Sequence, residues 1–352
     1  MKKLLPIVAS ILLLAGCSSP DRYIQVSGYA QGGRYAVKLN LRGVSVAPET
    51  IRDSVESLLT QIDTSLSGYN KASLLSRFNA GETIRPDSLF VGMYREAYRW
   101  YERSGGVLDF AAGPLFDAWG FGFREGTSPG GDDIRDLLAV SGMGRLLPEL
   151  PVDEDGTLSP ERLLKAPGAL PLLNFNAIAQ GYSCDVIARY LRSIGVKDML
   201  VDIGEIWCEG LNPSGKPWSV GVDRPYDRPV DGTDETGKDL DGIWSSDGLP
   251  RGVVTSGNYR KYYVREGRKV AHTIDPRTGF PVEHSLLSAT VVSSESAAAA
   301  DALATWCMVV GLEEAKALIL SDDSLEGYLI SSSEDGSMSE WASPGFTLLT
   351  SN

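Results

Sequence analysis

Apolar residues recur at helical spacing over residues 50–66, where Ile51, Val55, Leu58, Leu59, Ile62 and Leu66 share one face. A second amphipathic stretch, residues 87–103, is rich in Tyr and Trp. Residues 177–194 repeat the helical pattern, and Gly195 supplies a C-terminal stop. A further helix is expected near 296–310. Elsewhere the period shortens. Met199–Glu209 and Trp218–Asp223 read as strands around the turn Asn212-Pro213-Ser214-Gly215, and strands follow at 259–265 and 286–293. Leu108–Phe123 is glycine-rich and aromatic, more loop than element, and residues 129–171 are polar, punctuated by Pro and Gly, and read as surface. Residues 226–252 are acidic and glycine-rich and read as a long hairpin excursion. Only the region of Pro20 reads as a domain boundary.

The N-terminus is patterned as an address. Lys2 and Lys3 precede the apolar run Leu4–Leu14, which is too short to span a bilayer but fits the hydrophobic part of a signal peptide. The run ends in Leu14-Ala15-Gly16-Cys17, which resembles the bacterial lipobox, in which Cys17 is lipidated and becomes the first residue. A plain secretory signal with a chance cysteine is the blander alternative. The expected organisation is a cleaved signal over residues 1–16, a lipid-anchored tether over 17–23 and one domain over 24–352. That places the chain outside the cytoplasm, on the periplasmic side of the inner membrane.

Composition narrows the function. The 352 residues are 43% hydrophobic and 22% charged, an ordinary globular balance with enough chain to bury a large core. A net charge of −13 argues against a nucleic acid gripped through its phosphates. His272 and His284 are the only histidines, too few for a multi-histidine metal centre, and His284, ahead of an apolar strand, reads as structural. Cys184, Cys208 and Cys307 each fall in apolar runs without Cys-x-x-Cys spacing, so buried free thiols are expected. Gly210-Leu-Asn-Pro-Ser-Gly215-Lys216 matches most of a P-loop, but Pro217 replaces the hydroxyl that magnesium needs. A hairpin turn suits it better.

Six unusual segments remain. They are Leu66-Ser-Gly-Tyr69-Asn70 with Ser76-Arg77-Phe78-Asn79, and Gly106-Val-Leu-Asp109 with Gly113-Pro114-Leu115 and Trp119-Gly120-Phe121-Gly122. Asn176-Ala177-Ile178-Ala179-Gln180-Gly181-Tyr182 and Thr255-Ser256-Gly257-Asn258-Tyr259-Arg260 follow. The last are His272-Thr273-Ile274-Asp275-Pro276-Arg277-Thr278-Gly279 and Ala300-Asp301-Ala302-Leu303-Ala304-Thr305. In this order, over about residues 24–349, they resemble the ApbE family of FAD:protein FMN transferases.

The resemblance implies a single large α+β domain of mixed helices and strands, with FAD in a cleft. It implies magnesium-dependent cleavage of the FAD pyrophosphate, transfer of FMN to a Thr or Ser hydroxyl of a partner protein, and release of AMP. The partners implied are exported or membrane redox proteins, such as flavinylated subunits of sodium-pumping NADH:quinone reductases and related electron-transport complexes.

Asp301 and Thr305 are spaced i and i+4 on the expected helix, so both oxygens leave one face. Without the resemblance, the plainer reading is a helix-start charge and a packing residue. The resemblance adds the main-chain carbonyl of Ala177 and makes the three a Mg²⁺ site, with Asp301 catalytic through the cation. His272 matches the family's motif histidine, either as base for the acceptor hydroxyl or as a phosphate contact. Tyr69 matches a flavin-stacking tyrosine, and Val107, Leu108 and Asp109 match a loop that contacts FAD. Ser256 and Gly257 match a backbone approach to the phosphates, and Ile274 a position near the nucleotide.

Gln31, Asn174 and Gln180 fall at FAD-contacting positions but depart from the usual residues. Gln31 opens Gln-Gly-Gly-Arg-Tyr where relatives carry a Met-Gly-Thr-Thr-like segment, and Asn174 and Gln180 are neutral where charged side chains are common. Two other functions remain: an FAD pyrophosphatase with water as acceptor, and a non-catalytic flavin-binding lipoprotein. Intact Asp301, Thr305 and His272 argue against the second.

Overall fold

The fold is taken from a computed structural model that describes residues 21–123, 129–225, 240–258, 273–333, 335 and 337–349, with the backbone of 262–265 and 268–271. Its first elements are β1 (Tyr23–Ala30), β2 (Gly33–Asn40), α1 (Pro48–Leu66), α2 (Leu74–Asn79), α3 (Ser88–Arg103), α4 (Gly113–Trp119), α5 (Gly131–Val140) and α6 (Ala179–Ser193). Then come β3 (Met199–Asp202), β4 (Ile206–Glu209), β5 (Ser219–Asp223), β6 (Leu240–Ser245), β7 (Arg251–Gly257), β8 (Tyr262–Arg265), β9 (Arg268–Ala271), β10 (Ile274–Asp275) and β11 (Phe280–Pro281). The chain closes with β12 (Leu286–Ser293), α7 (Ala297–Val310), α8 (Leu312–Leu320), β13 (Leu325–Ser332), β14 (Met338–Ala342) and β15 (Leu348–Leu349). This is the mixed α+β domain expected.

Eight strands form one antiparallel sheet in the order β1-β2-β3-β4-β7-β12-β13-β14. Alternate side chains of a strand point to opposite faces, and these strands obey that rule. Val254, Val291 and Leu329 pack with the helices, while Val253, Val292, Tyr328 and Ile330 pack on the other side. There they meet Trp218 and Trp244, carried by the three-stranded sheet β15-β6-β5. The near-continuous burial of β12 follows from cover on both faces.

Several sequence expectations need correction. Met199–Glu209 is two strands that pair with each other across Ile203–Glu205, while β5 pairs with β6. The Asn212–Gly215 turn does form, closed by Asn212 N–H donating to the Lys216 carbonyl at 2.7 Å, but it joins two sheets instead of one hairpin. The loop expected over 108–123 contains α4, started by Pro114 in its first turn and stopped by Gly120 at φ 79°. The stretch 129–171 is more than surface: Ile134, Met143, Leu146, Leu158 and Leu163 are buried. Asp21 to Tyr23, expected in the tether, are held by Asn40, whose Oδ1 accepts from Arg22 N–H and whose Nδ2 donates to Asp21, both at 3.0 Å. Residues 1–20, with Cys17, and most of the 226–252 excursion lie outside the described residues.

Cys184, Cys208 and Cys307 are buried and free, as expected. His284 is held structurally, with Nε2 against the Met308 carbonyl at 2.9 Å and Nδ1 accepting from Leu286 N–H. Among the described residues no helix is long and apolar enough to cross a membrane.

Helix α7 lies directly against β7, and Gly252 permits the approach. A Cβ there would fall 2.6 Å from the Ser296 carbonyl oxygen and 2.7 Å from Ala297 Cα, both backbone atoms. Gly252→Ala is expected to destabilise the fold by about 1–3 kcal/mol through overpacking. Gly33→Ala, where nothing lies within 4 Å, should change stability by less than about 0.5 kcal/mol. Urea unfolding of the two variants checks the contrast, and equal midpoints would refute the close approach.

Candidate functional site

Helix α7 opens Ala297-Ala298-Ala299-Ala300, strong helix formers with no polar side chain to meet the first N–H groups. Asp185 on α6 meets two of them, accepting from Ala297 N–H through Oδ1 and from Ala298 N–H through Oδ2, each at 2.9 Å. Ser296 accepts the third, from Ala299, through its Oγ at 2.9 Å. One turn later the capping runs the other way. Asp301 Oδ2 accepts the N–H of Gly181, in the first turn of α6, at 3.0 Å. The two helices therefore cap each other.

Gly181 makes this possible, because a Cβ there would sit 2.3 Å from the Ala297 carbonyl oxygen. Its N–H is one of the first of α6, which have no carbonyl of their own helix to meet, and Asp301 supplies the acceptor; the ladder begins one residue later, with Tyr182 N–H donating to the Ile178 carbonyl at 2.9 Å. Thr305, half-buried, follows Asp301 by one turn. Asp301 is fixed against the first turn of α6 at Gly181, four residues after Ala177 in sequence.

Asp301 is 5% exposed, and burial raises its pKa well above the ordinary carboxylate value. The Gly181 N–H pulls it back, while the charge of Asp185 pushes it further up. Burial likewise raises Asp185, to about 6, against the lowering effect of its two N–H donors. Two carboxylates confined together are eased by a positive charge.

Tyr69 is 66% exposed yet held at both ends. Asn176 Nδ2 donates to its hydroxyl at 3.3 Å, and Phe123 stands edge-on to its ring, centroids 5.1 Å apart with planes at 88°. Phe123 occupies the space left by Gly68, where a Cβ would lie 2.0 Å from the ring. An exposed aromatic face fixed in this way can receive another flat ring. Asn176 precedes Ala177, which ties the platform to the α6–α7 junction.

The segment leading into that junction is pinned. Asn79 Nδ2 donates to the Leu173 carbonyl and Asn79 Oδ1 accepts the Leu173 N–H, both at 2.8 Å. Asn174 accepts from Asn176 N–H at 3.0 Å and donates its own N–H to the Phe110 carbonyl at 2.8 Å. Asp109 Oδ1 accepts from Ala111 and Met143 N–H groups, each at 2.9 Å. Burial raises the Asp109 pKa against these two donors. The side chains of Val107 and Leu108 are buried in the domain, which leaves their backbone for any ligand contact.

Gln31 sits at the β1–β2 turn with φ 51°, in the left-handed region, and donates through Nε2 to Ser183 Oγ at 2.5 Å. Gln180 Nε2 donates to the Ile203 carbonyl at 3.0 Å, over Gly204. Both amides are engaged within the protein, docking the hairpin and the β3–β4 turn onto α6. Ser256 and Gly257 end β7, and the next residue, Asn258, accepts through Oδ1 from Thr273 Oγ1 at 2.6 Å. That bond draws Thr273 and the buried Ile274 to the end of β7. His272 lies outside the described residues. An open hollow of about 600 Å³ lined by Arg103, Trp306, Leu318 and Asp322 shares no residue with the expected set.

The model of the ApbE family matches residues 31–329. The chain belongs to the ApbE family. It is 32% identical over 356 residues to an FAD:protein FMN transferase of Vibrio cholerae, covering 98% of each chain. It is 31% identical to one of Haemophilus influenzae, covering 99% of each. Among solved structures, the flavin transferase ApbE from Vibrio cholerae superposes with a TM-score of 0.72 at 30% identity, over 92% of this chain and 98% of that one. The apo form of the Pseudomonas stutzeri flavinyl transferase ApbE superposes with a TM-score of 0.75 at 31% identity, over 92% and 95%.

In this ApbE chain, sequence reading missed Asp185, Asn176 and Phe123. Asp185 follows Gly181 by four residues and so shares its helix face, a signal readable in the sequence. The pairings of Asn176 and Phe123 with Tyr69 span 107 and 54 positions, with no local pattern to reveal them. Asn79→Ala is expected to cost about 2–3 kcal/mol, since it strips both bonds from the buried backbone of Leu173. Tyr69→Ala, at an exposed ring, should cost under about 0.5 kcal/mol. Denaturant midpoints at unchanged slope test this, and an Asn79→Ala variant as stable as wild type would contradict the clamp.

Proposed function

We propose that this chain is an FAD:protein FMN transferase that cleaves the FAD pyrophosphate with Mg²⁺ and attaches FMN to a Thr or Ser hydroxyl of an extracytoplasmic redox protein. The observation that carries the reading is the α6–α7 junction, where the buried Asp301 carboxylate accepts the Gly181 N–H in the first turn of α6, just after Ala177. Among the described residues no three His, Cys, Asp or Glu side chains cluster as a metal site. One carboxylate with neutral oxygens suits Mg²⁺, which keeps waters and takes phosphate oxygens as ligands, and disfavours softer metals. Ala177, Asp301 and Thr305 would hold it. When bound, it neutralises charge developing on the pyrophosphate.

The chain's own groups supply the rest. Tyr69 offers its fixed face to the isoalloxazine, and the ends of β7 and β10 bring backbone toward the phosphates. The acceptor hydroxyl oxygen bonds to the FMN phosphorus as the bond to the bridging oxygen breaks. AMP leaves with that oxygen, and His272 takes the hydroxyl proton. Acceptors of the kind found in sodium-pumping NADH:quinone reductases fit this chemistry.

The test incubates the chain with FAD and Mg²⁺, with and without an acceptor domain, and measures AMP. Release only with acceptor is expected, and equal release without it would replace transfer by hydrolysis. Asp301→Asn should abolish release in either case while retaining FAD binding, because ring stacking remains. His272→Asn should slow transfer by about 10²–10⁴-fold, with partial recovery at raised pH. Full activity of Asp301→Asn in saturating Mg²⁺ would remove the junction from the chemistry.

The N-terminus supports a companion proposal, that Cys17 is acylated and anchors the enzyme on the periplasmic side of the inner membrane. Wild type should partition into the detergent phase and Cys17→Ser should not, while the domain folds in each. Wild type in the aqueous phase would refute the anchor.

A further inference from the structure

We propose that Asp185 is a positioning residue for the cation site at the α6–α7 junction, an inference that rests on the transferase reading above. A single carboxylate receives two of the first N–H groups of α7, from Ala297 and Ala298. The same residue stands one turn after Gly181 on α6, and Gly181 is the residue whose N–H meets Asp301. The helices are therefore fastened at two points, each one turn along from the other. This double fastening sets the Asp301 carboxylate relative to the Ala177 carbonyl.

The geometry separates Asp185 from the ligands themselves. Each of its oxygens is bonded to a backbone N–H, so it acts through Asp301 and adds a second negative charge to the junction. The all-alanine opening of α7 leaves that helix with Ser296 as its one neighbouring cap. Displacing the Asp185 carboxylate by one methylene would move the start of α7 over α6. The close approach of Gly181 to the Ala297 carbonyl leaves little freedom to absorb the shift.

The test uses the full chain with FAD and without acceptor. Mn²⁺ is the probe, its free fraction followed by electron paramagnetic resonance, and melting temperatures in EDTA are recorded in parallel. Asp185→Asn and Asp185→Glu are each expected to weaken Mn²⁺ binding by about ten-fold or more, the range for groups that orient metal ligands. Unchanged Mn²⁺ affinity in both, with a lowered melting temperature, would make Asp185 a plain helix cap and overturn the inference alone. A wild-type chain that binds no Mn²⁺ would overturn the metal site and this inference with it. Should the asparagine variant not fold, the glutamate variant decides by the same criterion.

Discussion

The reciprocal capping of α6 and α7 is the constraint on which the rest depends. Helix α7 begins with four alanines and has Ser296 as its only local cap, and α6 has no side-chain cap at its own start, so both need acceptors from outside. Each takes them from the other, Asp185 for α7 and Asp301 for α6. The small residues let the helices close, and their closeness brings the carboxylates within reach. Structure and candidate chemistry arise from one act of packing.

Around this junction the scaffold is arranged as support. Helix α7 lies on β7 and β12 at the centre of the eight-stranded sheet, where Gly252 admits its N-terminus. Asn79 and Asn174 pin the segment that leads into α6, and Asp109 ties Ala111 to Met143. Most of these polar groups bond to backbone, which holds loops in place without a regular element. The Tyr69 platform inherits its position from the same segment through Asn176.

Much of this was legible in the sequence, and the failures have physical causes. Helical spacing over 50–66 and 87–103 reads correctly because each helix buries one face on a core, and 296–310 reads correctly as a helix although it is buried on nearly every side. Strand 286–293 reads by its apolar β-branched run. Met199–Glu209 misleads because its tight turn at Ile203-Gly204-Glu205 is short and has apolar residues on both sides, so the Pro-Gly turn downstream is the more obvious place for a hairpin. The polar look of 129–171 concealed buried residues spaced too irregularly to show a period. Asp301 and Thr305 share a helix face by their spacing, and the ligand role proposed for them rests on the resemblance. Asp185, which caps α7, reads as an ordinary helix carboxylate until α7 is packed against it.

The central claim is that the α6–α7 junction holds the cation that serves the FAD pyrophosphate. Crystals grown with FAD and Mn²⁺ test it most directly through the anomalous signal of the metal. The account predicts a peak about 2.0–2.3 Å from the Ala177 carbonyl oxygen, an Asp301 carboxylate oxygen and the Thr305 hydroxyl, with pyrophosphate oxygen and water in the remaining positions. A peak away from Asp301, or FAD bound with its pyrophosphate remote from α7, would contradict it.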